Sequence, residues 1–273
     1  NVGINSSQTI TTGAGNLTIN APINLAANTL NLTGGSGNVI INGVISGTGS
    51  LIQNTSGVTA LTAANTFTAG TTNVTSGTLL VNGSLSNAMV VNISSGATYN
   101  VSSTDTIGSF VGAGTINIGD GYNLTANAIN SATTYSGVIA GSGNLTVNGS
   151  STLTLAGANT YNGTTTISAG TLQIGSGSTV GSIANTAAII NNGTLAYNRS
   201  DALTQSLSIS GTGNLTLVAG SLTLTGANNS YTGNTTITSG TLTIGSAGTL
   251  GNGSYAGNIS NAGKKGDQLH KAM

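Results

Sequence analysis

One stretch of the sequence occurs three times, and this recurrence restricts the fold more than any other feature. The clearest copy runs from Gly137 to Gly175, another from Ser210 to Gly245, and an eroded one from Ser46 to Gly83. Each copy contains short runs in which apolar and polar residues alternate, separated by Gly or Asn. A repeated unit of this kind cannot bury its apolar side alone, so the copies are predicted to stack into an elongated array.

The spacing inside the second copy predicts the shape of that array. Leu145 and Thr165 lie 20 residues apart, and Leu153 and Leu172 lie 19 apart, each pair at matching places in strand-like runs. Coils of about 20 residues with two or three short strands are typical of a β-solenoid, in which parallel strands stack about 4.8 Å apart. We therefore expect an all-β parallel solenoid of roughly 11–13 coils with essentially no helix.

A single solenoid is expected to occupy residues 1–263. Within it the repeat-like units are 46–87, 137–187 and 207–261. The ending 264–273, KKGDQLHKAM, departs sharply from the rest in composition, with three Lys, one Asp and a His in ten residues. It is predicted to be an unstructured end or a remnant of an expression vector.

The near absence of charge excludes several functions. Only 3% of residues are charged, and residues 1–263 contain Arg199 against Asp105, Asp120 and Asp201, with no Glu, Lys, His or Cys. This composition excludes a basic nucleic-acid surface, a Ser–His–Asp triad and thiolate metal sites, and no run is long enough for a membrane span. We expect no enzyme activity, cofactor or metal. In a stacked array, like charges at the same corner would repel, whereas Thr, Ser and Asn ladders avoid this cost.

The repeat resembles a known family. The runs at 157–175 (GANTYNGTTTISAGTLQIG), 226–245 (GANNSYTGNTTITSGTLTIG) and 63–83 (AANTFTAGTTNVTSGTLLVNG) are similar to the passenger-associated strand repeat of bacterial autotransporters. The resemblance implies a right-handed parallel β-helix that is exported across the outer membrane of a Gram-negative cell and is then displayed on the surface or secreted. Many such passengers are adhesins.

The leading functional hypothesis is a cell-surface passenger that acts as an adhesin or a structural rod. Its partner would be a host-cell or bacterial surface component, protein or glycan, or a second copy of the chain. The alternatives are a self-assembling fibre or coat subunit, and an ice-binding solenoid that uses flat Thr arrays. The segments 88–136 and 186–206 break the repeat, and are predicted to display the binding surface.

Three residues in the second of these segments are candidates for partner binding. Arg199 and Asp201 lie two apart, so on a strand they would share a face, and Tyr197 lies two residues before Arg199. The alternative is a local surface ion pair. The glycine-flanked Asp at 119–121 is predicted to be a turn rather than a calcium site. One repeat position is always aromatic and is predicted to pack over a corner or into the coil rather than to bind sugar: Phe67, Tyr161 and Tyr231.

Overall fold

A computed structural model describes residues 2–68, 70–127, 131–245, 248–262 and 268–271. Regular structure in these ranges is β-strand, apart from a 3₁₀ turn at Gly251–Gly253. No helix in them could span a membrane. The strands in chain order are β1 Val2–Gly3, β2 Gln8–Thr12, β3 Leu17–Ile19, β4 Ile23–Asn24, β5 Thr29–Gly34, β6 Val39–Ile41, β7 Ile45–Ser46, β8 Ser50–Thr55, β9 Val58–Leu61, β10 Thr71–Val74, β11 Thr78–Val81, β12 Val90–Ile93, β13 Thr98–Val101, β14 Asp105–Ile107, β15 Ser109–Gly112, β16 Thr115–Ile118, β17 Asn123–Ala126, β18 Thr133–Tyr135, β19 Val138–Gly141, β20 Asn144–Val147, β21 Thr152–Leu155, β22 Thr165–Ile167, β23 Thr171–Ile174, β24 Ile189–Asn191, β25 Thr194–Gln205, β26 Ile209–Ser210, β27 Asn214–Leu224, β28 Thr235–Ile237, β29 Thr241–Ile244, β30 Ile259–Asn261 and β31 Gln268–Lys271.

The strands stack in parallel on three sides of a coil, which we call faces 1, 2 and 3. Along face 1, thirteen strands follow one another in the described residues, so the chain makes about 13 turns, in agreement with the prediction. Face 1 comprises β2, β5, β8, β10, β12, β15, β18, β21, β23, the first part of β25, the first part of β27, β28 and β30. Face 2 begins with β3, β6, β9, β11, β13, β16 and β19, and face 3 contains β1, β4 and β7 and then β14, β17, β20, β22, β24 and β26.

The alternation of apolar and polar residues along each strand places the apolar side chains in the core. Successive side chains of a strand point to opposite sides, so every second residue points into the coil. Leu153, Leu172, Leu195 and Leu215 pair in register on four successive strands of face 1, and all four are fully buried. The pairs that sequence spacing predicted, Leu153 with Leu172 and Leu145 with Thr165, both occur. Such columns make one continuous core along the axis.

Corners explain part of the glycine content. Gly163 stacks on Gly143, and a Cβ added to Gly163 would lie 2.0 Å from the carbonyl oxygen of Gly143. Gly233 stacks on Gly213 in the same way, with 2.2 Å. No side chain fits at such distances, so the backbone of one coil can lie against the next at these corners only without a Cβ.

The three copies of the repeat do not present the same face. The first strand of copy one, β8, and that of copy three, within β27, lie on face 1, whereas the first strand of copy two, β20, lies on face 3. Leu51 and Leu145 are 94 residues apart and Leu145 and Leu215 are 70 apart. Neither distance is a whole number of turns of about 20 residues, so copy two is rotated by one face about the axis.

The segments that depart from the repeat keep the coil. Residues 90–126 form β12–β17, whose strands pair in register with their neighbours, so a sequence that breaks the repeat does not break the solenoid there. Within the ending 264–273, the structure describes residues 268–271. Gln268–Lys271 forms β31, which pairs with β29 and places Leu269 opposite Leu242.

Candidate functional site

Arg199 and Asp201 form a clamp on a neighbouring loop. The Arg199 guanidinium donates to both carboxylate oxygens of Asp201, at 2.8 Å from Nε and 2.7 Å from Nη2. It also donates to the carbonyl oxygens of Thr179 and Gly181 in the coil below. The hydrogen bond from Arg199 holds the pKa of the Asp201 carboxyl below its ordinary value. The predicted local ion pair is therefore present. Arg199 also holds the backbone of residues 179–181 in place by hydrogen bonds to carbonyl oxygens.

The clamped loop, residues 175–181, projects from the coil. Beyond the two Arg199 contacts, the amide of Gly177 donates to Asn198 and that of Ser200 donates to Ser178, at 2.9 and 3.1 Å. The chain thus lies along β25 without joining the sheet. At its tip Val180 is 51% exposed, an unusual position for a valine in a chain whose core takes nearly all large apolar residues.

Tyr197, the third candidate residue, lies inside the coil. Its side chain is 1% exposed and its hydroxyl donates to Gln205 Oε1 at 3.2 Å. Arg199 is 8% exposed. Partner binding by these three residues stays a prediction, and the geometry leaves Asp201 as the member with exposed side-chain surface. Sequence reasoning missed the 175–181 loop itself, because its Gly-Ser-Thr composition resembles that of every corner.

A buried Asn in each repeat copy ties three successive coils together. Its Oδ1 accepts the amide of an Ile exactly one coil earlier, 20 residues back, and its Nδ2 donates to a carbonyl one coil later. We call these positions Asn stations. In copy one, Asn65 accepts from Ile45 at 2.9 Å and donates to Ser84 at 3.0 Å. In copy two, Asn159 accepts from Ile139 at 2.9 Å and donates to Ser182 at 3.0 Å. In copy three, Asn229 accepts from Ile209 at 3.1 Å and donates to Thr249 at 3.3 Å.

Asp105 occupies the same kind of position between copies one and two. Its carboxylate accepts the amide of Leu85, again 20 residues back, at 3.1 and 3.2 Å, and the hydroxyl of Tyr99 at 3.0 Å. The residue is 1% exposed. Desolvation raises the pKa of the Asp105 carboxyl to about 6 against the opposing hydrogen bonds from Tyr99, Leu85 and Thr106. In turn, burial first and the adjacent carboxylate second raise the pKa of Tyr99.

The aromatic position of the repeat is buried, as predicted. Tyr161 and Tyr231 each bond the hydroxyl of a Thr four residues later, Thr165 at 2.6 Å and Thr235 at 2.7 Å. Burial raises the pKa of both phenols. In copy one, Phe67 replaces the Tyr, and the hydroxyl of the matching Thr72 is buried with no hydrogen-bond partner among the described residues.

The outer faces are neutral and polar. Asn92 donates to Asn73 at 3.2 Å and Asn117 to Asn100 at 3.0 Å, so stacked Asn side chains are joined by hydrogen bonds along the axis. On face 3, one outward column carries Thr on four successive strands, namely Thr106, Thr125, Thr146 and Thr166. In the residues that the structure describes, no cluster of three His, Cys, Asp or Glu could hold a metal ion.

Comparisons with known proteins find similarity to one repeat family and to an adhesin. The passenger-associated-transport-repeat family matches residues 51–81, 145–174 and 219–244. The chain is also 38% identical over 194 residues to the BmaC autotransporter adhesin of Brucella suis biovar 1 (strain 1330). The match covers 63% of this chain and 5% of that protein, so the chain spans a small part of its relative. No solved structure gives a significant match. Together with the solenoid, these matches show that the chain is similar to repeat-bearing passengers of bacterial autotransporters.

Proposed function

We propose that this chain is part of a surface-exposed passenger of a Gram-negative bacterium and acts in adhesion, both as a rigid rod and as a contact surface. The observation that carries the proposal is the 38% identity to an autotransporter adhesin over 194 residues. The three transport repeats support export of the passenger, and its uninterrupted parallel stacking suits a rod that holds a contact site away from the cell.

The chemistry of the described surface favours binding without catalysis. Its ionisable side chains are sparse, and two of them, Arg199 and Asp201, form an ion pair with each other. Contacts to a partner would come from hydroxyl and amide ladders and from the 175–181 loop, which the Arg199 clamp holds in one conformation. A preordered loop loses little conformational entropy on binding, which favours it as the contact site.

Adhesion is tested by displaying the chain on a non-adherent bacterium through a surface anchor. Attached cells are counted on cultured epithelial monolayers, with anchor-only cells as reference. The proposal predicts attachment above the reference, and equal counts would overturn it.

The loop is tested by a substitution at its tip. Val180→Asp places a charge where a partner would contact apolar surface, and we expect attachment to fall about fivefold, equivalent to about 1 kcal/mol. Val44→Asp is the matched control, because Val44 is also exposed, at 37%, but lies far away along the chain. Equal attachment by the two variants would remove the loop from the contact surface and leave the adhesive role itself standing.

Self-association into a fibre or coat is the second candidate function, and it stays a prediction. Sedimentation and electron microscopy of the purified chain distinguish a fibre from a monomer. The ice-binding hypothesis stays a prediction that a thermal-hysteresis measurement tests.

A further inference from the structure

The Asn stations and Asp105 perform one structural task with different chemistry. At each position a side-chain oxygen accepts a backbone amide 20 residues back, from Ile45, Ile139, Ile209 or Leu85. Ile45, Ile139 and Ile209 lie in β7, β19 and β26, each the last strand of its stack, and Leu85 lies in a corner. In each case the side chain supplies the acceptor that a paired strand would otherwise provide.

The peptide between Ser84 and Leu85 is held from both sides. Asn65, in the coil below, donates its Nδ2 to the carbonyl of Ser84 at 3.0 Å. Asp105, in the coil above, accepts the amide of Leu85. Three coils are thus joined at this corner, and the upper contact depends on one carboxyl group.

An amide and a carboxylate differ in two respects at such a position. Asn accepts through Oδ1, donates through Nδ2 and carries no charge, whereas ionised Asp only accepts and carries a full negative charge. Taking that charge out of water is costly unless a cation is close. For Asp105, the partners are the Leu85 and Thr106 amides and the Tyr99 hydroxyl, and all three are neutral.

The surroundings of Asp105 bring no compensating charge. Tyr99 on β13 is the ionisable group in contact with it. The packed strands β12, β15, β16 and β17 and the 82–88 corner contain no ionisable side chain. The other charged side chains between residues 2 and 262, Asp120, Arg199 and Asp201, are not among the causes of its raised pKa.

We propose that Asp105 makes this corner a pH-responsive joint in the rod, closed when the carboxyl is protonated and loosened when it is ionised. The Asn stations are the neutral counterparts of this joint and hold their corners at any pH. The inference rests on the fold and does not depend on the adhesive role.

The direction of the effect follows from the pKa. The ordinary Asp value is 3.8 and burial raises the folded value to about 6. A raised acid pKa means that the folded corner binds the proton more tightly than the open one. The stabilisation is full below pH 3.8, is lost as the pH rises through 6, and stays lost above it. The equilibrium constant for opening is expected to rise about 100-fold across this window.

Urea unfolding between pH 4 and pH 7.5 tests the proposal. We expect the unfolding equilibrium constant of the natural chain to rise about 100-fold over this range and that of Asp105→Asn to change little. Asp120→Asn is the matched control, because it makes the same chemical change at an exposed turn and should follow the natural chain. An Asp105→Asn variant with the pH dependence of the natural chain would overturn the proposal.

A second measurement needs no variant at position 105. The carboxyl carbons of the natural chain are followed by NMR as the pH changes. The proposal predicts that one Asp titrates near pH 6, together with the Leu85 amide resonance. If all Asp carboxyls titrate at or below pH 4, the corner carries no switch.

Discussion

In the second repeat copy, and again in the segment between copies one and two, a buried side chain holds successive coils together. That side chain carries an amide in the repeat copy, at Asn159, and a carboxyl in the segment, at Asp105. Asn159 accepts from Ile139 and donates to Ser182, so its corner has a neutral contact on both sides. Asp105 accepts from Leu85 and from Tyr99, and carries a buried charge when ionised. The comparison shows that stacking geometry tolerates either side chain, whereas the pH range of full stability is set by which one is present.

The first copy adds a smaller contrast of the same kind. Copies two and three satisfy a buried Thr hydroxyl with a Tyr. In copy one, where Phe67 replaces the Tyr, the Thr72 hydroxyl has no partner among the described residues. Erosion of the repeat has therefore removed one hydrogen bond while the coil remained. An unsatisfied buried hydroxyl lowers the stability of the fold by about 1–3 kcal/mol. The long hydrophobic core keeps the coil folded despite this loss.

The largest effect is expected when the Asp105 chemistry is moved into a repeat copy. Asn159→Asp puts an unpaired charge in a buried corner and removes the donor to Ser182 and Gly157. We expect a loss of about 4 kcal/mol at pH 7.5 and about half of that at pH 4, where the carboxyl is protonated. Urea unfolding at both values measures it. Asn162→Asp, at an exposed corner, is the control and should change stability by less than about 0.5 kcal/mol. An equal loss of stability in both variants would show that the buried position of Asn159 does not matter.

A middle-sized effect is expected at Tyr99. Tyr99→Phe removes the hydroxyl that donates to the Asp105 carboxylate, and we expect a loss of about 2 kcal/mol at pH 7.5 and less at pH 4. The apparent pKa of Asp105 should rise further, because the Tyr99 hydrogen bond lowers it. Tyr122→Phe, on a half-exposed ring, serves as control. A loss that is the same at both pH values would show that Tyr99 acts through packing alone.

The smallest effect is expected in the first copy, and it is a gain. Phe67→Tyr places a hydroxyl near Thr72, as Tyr161 does for Thr165 at 2.6 Å, and should stabilise the chain by about 1 kcal/mol in thermal unfolding. Phe110→Tyr is the contrasting variant, because Phe110 packs edge-on against Tyr135 at 5.1 Å between ring centroids in a filled core. If Phe67→Tyr destabilises as Phe110→Tyr does, the copies are not equivalent at this position.

Much of the fold could be predicted because one physical rule governs it. Period-two alternation fixes which residues point inward, and a spacing of about 20 fixes which residues stack, so the Leu153–Leu172 pairing follows from the sequence. The ion pair of Arg199 and Asp201 follows from the same alternation.

The Asn stations and the rotation of copy two about the axis could not be predicted from the sequence in this way. Asn159 has the composition of an ordinary corner, and in a chain rich in Asn nothing in the sequence separates a buried Asn from an exposed one such as Asn162. In the sequence, Asp105 stands out only as one of few charges, because its role depends on Leu85, 20 residues away. The 175–181 loop depends on a contact across coils with Arg199, which sequence spacing does not reveal.

Amide hydrogen exchange at the four corner amides tests the central claim most directly. The amides are Ile45, Leu85, Ile139 and Ile209, compared at pH 5 and pH 7.5 after correction for intrinsic exchange. The account predicts equal protection at both pH values for the three Asn-bound amides and at least a tenfold loss for Leu85 at pH 7.5. Four amides that respond alike to pH would contradict it.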